Sequence, residues 1–108
     1  MNQFDRGDIV IINLDPVLGR ETGKRRPVYV LTQKNYNRST GMAWVCPITT
    51  HPQNNAFEIP VQGKKISGFI IANKMRSVDL QQRQPVLVEK ADPSLWDDVK
   101  YVIEALLA

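Results

Sequence analysis

The chain has 108 residues, 43% of them apolar and 23% charged, an ordinary globular balance that excludes a disordered or fibrous polypeptide and leaves no room for a second core. The predicted unit is therefore one domain spanning residues 1–108. Fourteen basic against eleven acidic side chains give a net charge of +3, a mild bias toward polyanionic partners. One cysteine, Cys46, and one histidine, His51, exclude an internal disulfide and the Cys/His zinc patterns. The N-terminal residues lack the layout of a secretion signal and no apolar run reaches membrane length, so a cytoplasmic protein is expected, without membrane attachment, metal or cofactor.

Asp8–Leu14 is rich in β-branched residues between Gly7 and Asp15-Pro16 and predicts a strand. A glycine-punctuated basic loop follows, Gly19-Arg20-Glu21-Thr22-Gly23-Lys24-Arg25-Arg26-Pro27. It sets four cations around one carboxylate, the composition of a phosphate site, and a strand is expected to run from Pro27 to about Thr32. Gln33 to Gly41 is full of turn formers and predicts a helical turn or loop. Met42 to Thr49 reads as the third strand. Period-two alternation puts Met42, Trp44, Cys46 and Ile48 on an apolar face and Thr49 on the other, with Pro47 a candidate bulge.

A loop at His51–Asn55 and short strands at Phe57–Val61, Gly68–Ala72, Lys74–Asp79 and Gln84–Glu89 complete a run of closely spaced extended pieces. That spacing predicts a mainly β fold, a small antiparallel barrel or a strongly curled sheet, followed by a C-terminal helix. The helix is marked by Leu95, Val99, Val102, Ile103 and Leu106 at spacings of three and four. Asp92 is read as its N-cap, Pro93 as its first turn, and the helix as a cover for an open face of the barrel.

One histidine cannot support a two-histidine ribonuclease mechanism, and the carboxylates Asp8, Asp15, Glu21, Glu58, Asp79 and Glu89 are too scattered for two-metal catalysis. A metal-free route remains, in which an RNA 2′-hydroxyl attacks the neighbouring phosphate. Donors aimed at the growing phosphorane charge promote that step. Arginine suits this because its planar fork matches phosphate and keeps its charge. Arg26 at the start of one strand and Thr49 at the end of another meet if those strands pair antiparallel.

Gly7-Asp8, Asp15-Pro16, Gly19-x-Glu21 and Arg26-Pro27-Val28 closely resemble the MazF/PemK toxins. The likeness continues in order through Tyr36-Asn37, Val45-Cys46-Pro47-Ile48-Thr49-Thr50, Gly68 and Arg76-Ser77-Val78-Asp79. The resemblance implies a small curled antiparallel SH3-like barrel, mainly β with a C-terminal helix, and a metal-independent endoribonuclease toxin of a type II toxin–antitoxin system. It also implies a homodimer that cuts single-stranded RNA, leaving a 2′,3′-cyclic phosphate and a 5′-hydroxyl, and a cognate antitoxin with an acidic segment. Carried over residue by residue, Arg26 and Thr49 match the family's catalytic arginine and threonine and Glu21 its loop glutamate. Of Glu21, Arg26 and solvent as proton acceptor, Glu21 is the favoured one, with Arg26 as phosphorane stabiliser or proton donor.

Arg20, Lys24, Arg25, Tyr36, Arg38, His51 and Arg76 are the expected RNA contacts. Two departures stand out: Arg20 replaces a histidine of some members and Asn73 an aspartate, and an amide cannot act as a base near neutral pH. The alternatives are a gyrase-binding toxin of the same fold, whose C-terminal Trp-Gly pair has no counterpart in Glu104–Ala108, and a non-catalytic nucleic-acid-binding barrel.

Overall fold

The structure, a computed structural model, describes residues 3–14 and 25–108. Seven antiparallel strands are found among them: β1 (Asp8–Asn13), β2 (Arg25–Val30), β3 (Ala43–Thr49), β4 (Glu58–Gln62), β5 (Ser67–Ile71), β6 (Arg76–Val78) and β7 (Val86–Lys90). Two helices accompany them, α1 (Lys34–Thr40) and α2 (Leu95–Leu107). The strand order is β4-β5-β3-β2-β1-β7, with β6 also on β3. One edge of β3 is shared: its first residues pair with β6 and its last with β5. This division curls the sheet into an open half-barrel whose edges are β4 and β7.

Apolar side chains are buried on both faces of the central strands. Ile9, Tyr29, Cys46 and Ile48 join Ile59, Val61, Ile70 and Val99 in the larger core, which Leu95, Trp96, Val102 and Ile103 of α2 cover. Val10, Ile12, Val28, Val30, Ala43 and Val45 form a second cluster with Val78 and Leu80. Residues two apart on a strand share a face, so the two clusters are the two sides of one pleat.

The predicted strand-rich architecture and covering helix are both present; several details differ. Strand β2 begins at Arg25, so Pro27 lies inside it, opposite Ile11. Pro47 causes no bulge, because Val28, Tyr29 and Val30 face Pro47, Cys46 and Val45 in unbroken register. Trp44 is exposed (38%), whereas Ala43 and Val45, on the side predicted to be polar, are buried. A strand with apolar neighbours on both faces defeats a one-sided reading of its alternation. Asp92 caps the turn before α2 rather than its first residue: its Oδ1 accepts the Ser94 N–H and hydroxyl, and Ser94 is the N-cap. Among the described residues no helix is long and apolar enough to cross a membrane.

Candidate functional site

Arg26 and Thr49 are brought together by strand register. The ladder between β2 and β3 matches Val28 with Pro47, and two residues further along the same register Arg26 stands opposite Thr49. Opposed residues of an antiparallel pair share a face. This is the side carrying Val28 and Val45, so the apolar second cluster gives way at the strand ends to a guanidinium and a hydroxyl. On the far edge of β3, Thr49 pairs with Phe69 of β5. Gly68 comes so close that a Cβ there would lie 2.5 Å from the Thr49 carbonyl oxygen and 3.2 Å from Ile48 Cγ2. Only glycine lets β5 approach Thr49 to this distance.

Two adjoining cavities of about 490 and 540 Å³ meet at these residues and share Arg26, Ile48, Thr49 and His51. The first extends toward Ile66 and Ser67. The second extends toward Glu58, Asn73, Lys74 and Arg76. Each is within the usual range for a small-molecule site, and together they form a trough running past the Arg26–Thr49 pair.

The two neighbouring arginines are used differently. Arg25 donates through Nη1 to Asn13 Oδ1 (3.2 Å), the Arg83 carbonyl (3.4 Å) and the Gln84 carbonyl (2.7 Å), pinning the start of β2 to the segment before β7. Arg26, half-buried, makes no hydrogen bond or ion pair among the described residues. A half-buried cation lined up with a cavity, and without a counter-charge among the described residues, favours an anionic guest. Thr49 Oγ1 accepts the His51 N–H at 3.0 Å. A hydroxyl has one proton to give, so Thr49 is held in place as an acceptor while its O–H remains available to a ligand.

Of the other expected RNA contacts, His51 and Arg76 line the trough and Arg25 lines its rim. Tyr36 and Arg38 lie on α1, exposed and outside both cavities. Glu21, Arg20 and Lys24 fall outside the described residues. Among the described residues no group of three or more His, Cys, Asp or Glu side chains is placed to hold a metal ion. Lys74, Ser67 and Glu58 also line the trough; no motif in the sequence marks them, since their place depends on how the sheet curls.

The chain matches the family of PemK-like, MazF-like toxins of type II toxin–antitoxin systems over residues 5–107. It is 33% identical over 103 residues to the endoribonuclease toxin MazF of Escherichia coli K12, covering 95% of this chain and 93% of that one. It is 34% identical over 88 residues to the endoribonuclease toxin ChpB of the same organism, covering 76% of this chain and 75% of that one. MazF from Deinococcus radiodurans superposes with a TM-score of 0.83 at 32% identity, over 95% of this chain and 94% of that one. MazF in a MazE–MazF complex from that organism gives 0.80 at 28%, with the same coverage. The chain thus belongs to the PemK-like, MazF-like toxins of type II toxin–antitoxin systems.

Proposed function

We propose that this protein is an endoribonuclease that cuts single-stranded RNA at the Arg26–Thr49 pair without a metal ion. The observation that carries this reading is the pairing of two donors unengaged among the described residues, the Arg26 guanidinium and the Thr49 O–H, on one face at the junction of two cavities. A phosphodiester seated between them has its non-bridging oxygens facing a fixed cation and a hydroxyl. The RNA 2′-hydroxyl attacks the adjacent phosphorus, the P–O5′ bond breaks, and the products are a 2′,3′-cyclic phosphate and a 5′-hydroxyl. Arg26 and Thr49 stabilise the charge that builds on the phosphorane oxygens. Glu21 takes the 2′-hydroxyl proton, and the departing 5′-oxygen takes a proton from solvent to become the 5′-hydroxyl.

Arg76, Lys74 and His51 line the trough where flanking nucleotides would pass and supply the contacts that follow the RNA backbone. A cytoplasmic toxin of this kind has an antitoxin partner, and a MazE–MazF complex is among the structural relatives. An acidic antitoxin segment lying in the trough would meet the same unpaired cation as RNA does. Tyr101 and Leu107 on α2, 75% and 72% exposed, offer apolar surface for the second copy of a homodimer.

The test is cleavage of a mixed-sequence RNA in EDTA by the wild type, Arg26→Ala and Thr49→Ala. Each substitution is expected to lower kcat/KM by about 10²–10³-fold, the usual loss for one oxyanion donor. Activity that requires added metal, survives both substitutions, or persists on RNA with a 2′-deoxy residue at the cut position overturns the mechanism.

A further inference from the structure

Glu89 takes no part in the site described above, yet it makes one of the most heavily bonded side-chain contacts in the molecule. It lies on β7, one edge of the open sheet, opposite Ile9. Its carboxylate reaches the turn joining β4, the other edge, to β5. Glu89 Oε1 accepts the Lys64 N–H, and Oε2 accepts the Lys65 and Ile66 N–H groups, all at 2.8 Å. A Cβ on Gly63 would fall 2.5 Å from Glu89 Oε2, so the turn is closed tightly over the carboxylate. These bonds, led by the one from Lys65, hold the carboxyl below the ordinary glutamate range. The two edges form no backbone ladder among the described residues; this side chain bridges them instead.

The turn so held continues into the trough. Ile66 and Ser67 line the cavity that Arg26 and Thr49 also line. The opposite wall is built on the same plan. Glu58 Oε2 accepts the Gln53 N–H (2.5 Å), and Oε1 accepts those of Asn54 (2.9 Å) and Asn55 (3.4 Å), in a loop whose Gln53 and Asn55 line the second cavity. Each wall is thus three backbone N–H groups closed on two oxygens of one glutamate.

We propose that Glu89 is a positioning residue for RNA, closing the half-barrel and fixing the Ile66–Ser67 wall on one side of the cleavage point, with Glu58 doing the same for the Gln53–Asn55 wall. This rests on the RNA-cleavage reading of the Arg26–Thr49 pair. Neither carboxylate touches the reacting atoms in this scheme. Both set how nucleotides on either side are held, so their loss changes binding and sequence preference more than the chemical step. Glutamine keeps the shape of the side chain but turns an NH₂ toward N–H donors, so one oxygen of the clamp is replaced by a repelling group.

The experiment compares wild type, Glu89→Gln and Gly63→Ala, which disturbs the same contact from the other side, with Glu58→Gln as the control for the opposite wall. Hydrogen exchange at the 64–66 amides is expected to accelerate in the first two variants and not in Glu58→Gln, which accelerates exchange at 53–55. KM for an RNA spanning the trough is expected to rise about tenfold in Glu89→Gln, the scale of a lost charge-assisted hydrogen bond, with kcat within about twofold. Sequencing of cleaved random RNA is expected to show relaxed preference on one side of the cut for Glu89→Gln and on the other for Glu58→Gln.

Unchanged protection of the 64–66 amides in Glu89→Gln overturns the clamp. A loosened turn with wild-type KM and preference overturns its role in positioning RNA, as does a fall confined to kcat. A variant that does not fold leaves Gly63→Ala to decide through the same readouts. Wild-type protein that cuts no RNA overturns the functional reading alone, since the exchange measurement still decides the clamp.

Discussion

On one face of β1, β2 and β3 lie Ile9, Tyr29, Cys46 and Ile48, buried together under α2. On the other lie Val10, Val28 and Val45, which give way at the strand ends to Arg26 and Thr49. The same three strands and the same ladders make both faces, so they share backbone rigidity and differ only in what alternates along the pleat. The covered face is apolar where α2 lies over it and supplies stability. The second is apolar for most of its length and polar at its end, so the proposed reactive pair stands on packed strands instead of a loop. A site built this way needs little rearrangement before RNA arrives, because neighbouring buried side chains have already fixed the two strands.

Substitutions on opposite sides of the pleat should therefore separate stability from activity. Ile9→Ala removes a fully buried side chain from the covered face. It is expected to cost about 2–5 kcal/mol in urea unfolding, with kcat of the folded fraction unchanged. Arg26→Lys keeps the charge and loses the planar fork. About 10²-fold lower kcat/KM is expected, with stability within about 0.5 kcal/mol of wild type. If Arg26→Lys proves as destabilising as Ile9→Ala, or Ile9→Ala lowers kcat as far as Arg26→Lys, the division between the faces fails.

Gly68→Ala falls on the boundary. The added methyl group meets the Thr49 carbonyl and the Ile48 side chain, and backbone cannot swing aside as a flexible side chain would. Overpacking of this kind costs about 1–3 kcal/mol. Because the strain falls on Thr49 itself, about tenfold lower kcat/KM is expected as well, a misplacement effect. Serine at 68 should behave as alanine does; a fully active Gly68→Ala would show that β5 can yield without moving Thr49.

The sequence carried the elements and the meeting of Arg26 with Thr49 further than it carried their surroundings. Alternating β-branched runs and a three–four apolar spacing marked most strands and α2, because those signals are local. Arg26 and Thr49 were legible through antiparallel pairing and through ordered motifs that resemble a known family. Arg25 and Arg26 were indistinguishable as neighbouring cations. Their separation depends on Asn13 and the carbonyls of Arg83 and Gln84, which tertiary folding brings to Arg25 alone. Asn37 reads as a turn former, yet it is fully buried, with Nδ2 donating to the Phe4 and Thr32 carbonyls. Glu89 and Glu58 looked like scattered surface acids because backbone amides leave no mark in the side-chain sequence.

The smallest expected difference between the faces is their response to alkali. Cys46 and Tyr29 are register partners on the covered face. Burial pushes the Cys46 thiol from 9.0 up to about 12. Burial also pushes the Tyr29 hydroxyl from 10.0 up to about 12, against a lowering influence from Arg6. Both groups hold their protons more tightly folded than unfolded. The stability this gives is fully present below the unfolded values and is lost as pH rises from about 9 toward 12.

Urea unfolding is expected to show a decline of about 1–2 kcal/mol between pH 8 and about pH 10. Cys46→Ala, which has no thiol to titrate, should flatten the first part of that decline. The buried side chains of the other face, Val10, Ile12, Val28, Val30, Ala43 and Val45 among them, include no cysteine or tyrosine. A Cys46→Ala protein with the wild-type slope would place the alkaline sensitivity outside the covered face.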